Sequence, residues 1–107
     1  MQRMGSVLGI KPEAIVEYKR IHADVWPEVL ATIHDCGIRN YSIYRHEQLL
    51  FAYFEYVGAD FDADAAKMAA DPKTQDWWAV CMPMQTPVAG TKPGEWWKTI
   101  PEVFHTD

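Results

Sequence analysis

Cysteine is scarce in this chain: Cys36 and Cys81 stand far apart among 107 residues. Two distant thiols build no disulfide framework, so a reducing compartment is the expected setting. No apolar run approaches the roughly 20 residues that a membrane-spanning helix needs, so no membrane partner is expected. The opening Met-Gln-Arg-Met-Gly-Ser is not followed by a secretory apolar region, and the cytoplasm is the expected location. Basic residues are in the minority, 10 Lys and Arg against 15 Asp and Glu, for a formal net charge of -5. They are also scattered. A nucleic-acid backbone requires a basic patch, so nucleic acid is not an expected partner. P-loop, dinucleotide fingerprint, nucleophile elbow and Cys-X-X-Cys are all missing. With no repeat or linker either, the length predicts a single domain over residues 1–107.

Aromatic residues are plentiful by contrast: five Trp, five Tyr and four Phe. Some of these rings are expected in a pocket or an interface as well as in the core. His22 lies four residues after Tyr18 and four before Trp26. On a helix that spacing puts a phenol and an imidazole on one face. An imidazole gives and takes a proton near neutral pH, and a phenol holds a hydroxyl-bearing molecule beside it. Trp77-Trp78 and Trp96-Trp97 add adjacent large rings. An acid/base group among such rings suits a small polar molecule with apolar C–H faces, and a sugar has that character.

The pattern predicts these elements in order. Residues 3–10 read as a strand, with Met4, Ser6, Leu8 and Ile10 on one face and Arg3, Gly5, Val7 and Gly9 on the other. The two glycines leave room for a ligand or another backbone. Pro12 opens a helix carrying Ile15, Tyr18 and His22. Pro27 breaks it near residues 24–26, and a second helix follows with Trp26, Val29, Leu30 and Ile33 as its apolar face. Gly37 suits the position just past its end. Residues 39–45 and 49–57 form a hairpin of strands across a short turn. The second of these strands is apolar on both faces, so the face without helices is expected to meet a second copy of the chain. A short helix covers 61–70. Asp71-Pro72 caps another running to about Met82. Residues 85–94 read as a loop and a last strand falls within 96–104, interrupted by Pro101. The order βα(α)ββα(α)β predicts an α+β sandwich of ferredoxin-like type.

Each candidate group has a plainer reading beside the chemical one. Tyr18 and His22 are a general acid/base with a positioning phenol, or two residues packed on an apolar stripe. Tyr41 is a packing residue unless its face looks toward the hollow beside Gly5 and Gly9. Trp77 and Trp78 stand about 100° apart on a helix, so both cannot point squarely into one core; one packs while the other is free to line a pocket. Trp96 and Trp97 face opposite ways in a strand, as core and dimer contacts. His34-Asp35-Cys36 is a weak metal candidate without a second ligand pair at zinc spacing, so no metal is expected.

Four segments together resemble the L-rhamnose mutarotase family: His22-Ala-Asp-Val-Trp26-Pro27-Glu28, Asn40-Tyr41-Ser42-Ile43-Tyr44, Trp77-Trp78 with Met82, and Glu102-Val103-Phe104-His105. The resemblance runs over nearly the full length, in the family's order and spacing. It implies a homodimeric α+β barrel and interconversion of the α and β anomers of a 6-deoxyhexose with no cofactor. It implies that His22 is the proton donor and that Tyr18, Tyr41, Trp77 and Trp78 bind the sugar. The segment 85–94 lacks the Asn/Asp-rich pattern of better-known members, and Trp96-Trp97 is an addition, which leaves the sugar open between L-rhamnose and another deoxyhexose such as L-fucose. Two other readings compete: a cofactor-independent monooxygenase on the same fold, and a non-catalytic sugar-binding module.

Overall fold

The computed structural model describes every residue, Met1–Asp107. Strand β1 (Gln2–Ile10) leads through a 3-10 turn at Pro12–Ala14 into helix α1 (Ile15–His22). Helix α2 (Pro27–Asp35), strands β2 (Ile38–His46) and β3 (Leu49–Tyr56), and helices α3 (Phe61–Ala70) and α4 (Pro72–Cys81) follow. Two short strands, β4 (Gln85–Thr86) and β5 (Lys98–Ile100), complete the sheet. Its order is β2-β3-β1-β4, with β5 also on β1, and every pairing is antiparallel. This is the expected α+β ferredoxin-like arrangement, its final strand divided in two. No helix is long and apolar enough to cross a membrane.

Local chemistry sets the joints. Trp26 is extended (φ -58, ψ 132), as the residue before proline must be, and Pro27 then starts α2. Gly37 follows α2 at φ +83, a left-handed conformation that glycine adopts without steric cost. The Asp71 carboxylate caps α4 by accepting from the Thr74 backbone N–H at 2.9 Å, and it also accepts from the Thr74 hydroxyl at 2.8 Å. Asp60 caps α3 in the same way through Ala63.

The helices cover one face of the sheet. Ile10 and Leu50 on that face pack with Tyr18 of α1, Val29 of α2, and Trp77 and Cys81 of α4. Leu30, expected on the apolar face of α2, points to solvent instead; Trp26, Val29 and Ile33 suffice to fill that side. The opposite face of the sheet has no helix over it. There Val7, Phe51 and Tyr44 sit side by side across three strands, with Tyr44 67% and Phe51 36% exposed.

The structure decides four further points of the sequence reading. Gln85–Thr86 is strand and not loop, because it pairs with Gly9–Ile10. A Cβ on Gly9 would lie 2.5 Å from the Thr86 carbonyl oxygen, so this glycine admits a backbone and not a ligand. Trp96 and Trp97 precede β5 and belong to no strand, so they do not diverge across the sheet. His34 and Asp35 are exposed while Cys36 is buried, so this trio does not converge on a common point.

Candidate active site

Between the helices and the sheet lies a cavity of about 420 Å³, within the ~300–1,000 Å³ range of small-molecule sites. Twelve of its fifteen lining residues are hydrophobic. Tyr18, His22, Tyr41, Trp77 and Trp78, the five residues singled out in the sequence, all line it. They come from α1, β2 and α4.

Helix α1 delivers Tyr18 and His22 as a stacked pair, ring centroids 4.1 Å apart. Trp77 meets His22 edge to face with ring centroids 5.2 Å apart, and Trp26 meets Trp77 in the same way at the same distance. Trp77 is 7% exposed and belongs to the core, whereas its neighbour Trp78 is 37% exposed. Their angular separation on α4 therefore divides them as helix geometry requires, one anchoring the wall and the other extending it.

His22 Nδ1 lies 2.7 Å from the Tyr18 carbonyl oxygen. A carbonyl only accepts, so Nδ1 carries the proton and donates. In the neutral ring, Nε2 is then a free lone pair. Burial pushes the His22 pKa below the ordinary value, opposed in part by this hydrogen bond, which favours the charged ring. Burial pushes the Tyr18 phenol far upward, although a hydrogen bond from Gln85 acts the other way. Tyr18 is a neutral phenol throughout the physiological range.

Tyr41 reaches the cavity through an irregularity in β2. Ile38 pairs with Tyr56 and Ile43 with Ala52, so one more residue is counted on β2 than on β3. The register shifts between Arg39 and Ser42, and Asn40 sits at φ +50. This bulge turns both Ile38 and Tyr41 toward the helices, where the Tyr41 ring lies 5.5 Å from Phe54. Strict alternation would have sent one of them to the other face. Tyr41 is 42% exposed as a whole residue, yet its hydroxyl end is enclosed, and burial pushes that phenol up to about 12. Gly5 and Gly9 lie with Val7 on the other side of the sheet, so Tyr41 faces this cavity and not a space beside those glycines.

Gln85, Trp96 and Trp97 also line the cavity, and the sequence reading had placed them in a loop, the core and a dimer contact. Gln85 is buried and donates through Nε2 to the Tyr18 hydroxyl at 3.0 Å; Trp96 Nε1 donates to Gln85 Oε1 at 2.8 Å. No local signal marks Gln85, since its partner lies 67 positions away.

The arrangement offers one imidazole with an open nitrogen, two neutral phenols and an indole wall. It is equipped to hold a polyhydroxylated ring and move protons on it. The family model described as L-rhamnose mutarotase matches residues 3–106. An L-fucose mutarotase of Xanthomonas campestris is 37% identical, over 97% of this chain and 87% of that protein. An L-rhamnose mutarotase of Oceanobacillus iheyensis is 31% identical over the whole of both chains. The crystal structure of an L-rhamnose mutarotase from Formosa agariphila superposes with a TM-score of 0.78 over the whole of both chains at 21% identity, a likeness of fold. With a match over almost its entire length, this chain belongs to the L-rhamnose mutarotase family.

Proposed function

We propose that the cavity binds a 6-deoxyhexose, L-rhamnose first, and exchanges its α and β anomers with His22 as the proton carrier. The observation that carries this reading is the committed Nδ1–H of His22, which leaves Nε2 as the ring's one free nitrogen in a cavity walled by Tyr18 and Trp77. Ring opening removes a proton from the anomeric hydroxyl, breaks the bond between C1 and the ring oxygen, and adds a proton to that oxygen. Both oxygens are bonded to the same carbon. One imidazole therefore serves both: Nε2 takes the hydroxyl proton, and the imidazolium is the general acid that delivers it to the ring oxygen. Rotation about the C1–C2 bond and the reverse transfers close the ring on the other face. Only protons move, so no step calls for a cofactor. Tyr18 and Tyr41 hydrogen-bond sugar oxygens, and Trp77 and Trp78 pack against the C–H side and the C6 methyl group.

The uncovered sheet face carrying Val7, Tyr44 and Phe51 is proposed to pair with a second copy, giving a homodimeric barrel. L-Fucose is the second substrate reading, favoured by the 37% identity to the Xanthomonas protein.

Saturation-transfer NMR with L-rhamnose, L-fucose and D-glucose tests the proposal. The protein should accelerate exchange of a deoxyhexose above the buffer rate, and His22→Asn should lower that acceleration at least about tenfold. Unchanged exchange in the variant removes His22 from the mechanism. Sugar binding without acceleration in the wild type would identify a binding module instead, and oxygen uptake with a quinol a monooxygenase.

A further inference from the structure

We infer that Gln85 and Trp96 are positioning residues that fix the direction of the Tyr18 hydroxyl proton, making Tyr18 a one-way hydrogen-bond donor to an oxygen of the bound sugar. The inference deepens the sugar-binding reading of the cavity and rests on it.

The argument is one of donors and acceptors. The Trp96 indole nitrogen has a proton and no available lone pair, so the Gln85 atom 2.8 Å from it must be the carbonyl oxygen. That orients the amide. Its other end, Nε2, has only protons to offer and lies 3.0 Å from the Tyr18 oxygen. The phenol is thereby the acceptor in that bond, and its own proton must point elsewhere. No protein atom accepts it, and the open direction is the cavity that Tyr18 lines. Gln85 is 7% exposed, so water does not readily substitute for either of its bonds. Burial keeps the phenol protonated, so the donor persists across the working pH range.

The consequence is selectivity for an acceptor. A pyranose ring oxygen has lone pairs and no proton, and it can only accept. A phenol free to rotate would satisfy a donor or an acceptor equally well. A phenol held by Gln85 selects the acceptor and meets it without reorienting. Trp96 is therefore tied to the sugar site through two hydrogen bonds, although it lies far along the chain from Tyr18 and His22.

The test inverts the polarity of the relay. Gln85→Glu keeps size and keeps an acceptor for Trp96, but presents the Tyr18 oxygen with a carboxylate that draws the phenol proton away from the cavity. We expect anomer exchange per unit of L-rhamnose, and L-rhamnose affinity read from tryptophan fluorescence, to fall about five- to thirtyfold. In a Tyr18→Phe background the same substitution should cause no further loss. Equal losses in both backgrounds would mean a merely structural role and overturn the inference. Trp96→Phe, which keeps an aromatic ring but removes the indole N–H and lets the amide turn over, supplies a milder variant. It should reduce affinity in the wild-type background and not in Tyr18→Phe, and an effect in both would again overturn the inference. Independently of any sugar, the Trp96 indole proton should exchange slowly with solvent in the wild type and rapidly in Gln85→Leu. Equal exchange rates would show the relay absent. A wild type that binds L-rhamnose without exchanging its anomers would defeat the catalytic reading while the affinity cycle still decides this one.

Discussion

One imidazole nitrogen of His22 is committed before any sugar arrives. Its proton is held by the Tyr18 carbonyl, and the ring is pushed toward neutrality by burial. The free Nε2 is then a base at neutral pH. The sign of the pH dependence follows. On the proposed mechanism, as pH falls through the lowered His22 pKa, Nε2 is protonated and no longer accepts the anomeric proton, so exchange should decline. Above it, exchange is level. We predict a single acid limb in the exchange rate with its midpoint below the ordinary histidine value of about 6.5. A rate that climbs on acidification would show the imidazolium to be the resting form and reverse the order of proton transfer. At this scale the sequence exposed the shared face of Tyr18 and His22, because i and i+4 always meet on a helix. It did not expose the tautomer, which depends on where the ring lies relative to a carbonyl oxygen.

At the scale of elements, the bulge in β2 is what brings Tyr41 to the cavity. Asn40 occupies the left-handed region at φ +50, and its amide donates to Glu55 Oε1 at 2.8 Å. Asparagine tolerates that conformation and a β-branched residue does not. Asn40→Val should therefore cost about 1–2 kcal/mol of stability, read as a lower urea midpoint, while Asn40→Gly should cost less than Asn40→Val. Equal midpoints for the two variants would contradict the strain argument. The starts of α2 and α4 were legible because Pro27, Asp71 and Pro72 act through their own backbones and immediate neighbours. The bulge was not, since its signature is a mismatch in count between two strands. The two-residue β4 was hidden for a similar reason: its only structural warrant is the edge of β1 that it joins.

At the scale of the whole molecule, one face of the sheet is sealed by four helices and the other is bare. Strand β3 is apolar on both faces, a pattern that suits a sheet covered on both sides. The Arg3–Glu102 ion pair at 2.8 Å fastens the extended C-terminal tail along the rim of the bare face, where a second hollow of about 310 Å³ lies. A protein that buries this surface against its twin should sediment as a dimer. Tyr44→Glu combined with Phe51→Glu should convert it to a folded monomer, since paired charges there resist burial. A wild type that sediments as a monomer at all concentrations would refute the pairing.

By itself, the sequence determined the order and kind of the main elements, their proline and aspartate boundaries, and the shared helical face of Tyr18 and His22. These are local or periodic properties, set by φ restrictions, side-chain caps and the pitch of a helix. Only the tertiary structure decided which imidazole nitrogen is free, that Tyr41 turns inward, and that Gln85 and Trp96 hold the Tyr18 hydroxyl. Each of those depends on atoms brought within about 3–6 Å of one another by chain closure, and no spacing along the chain encodes such a meeting.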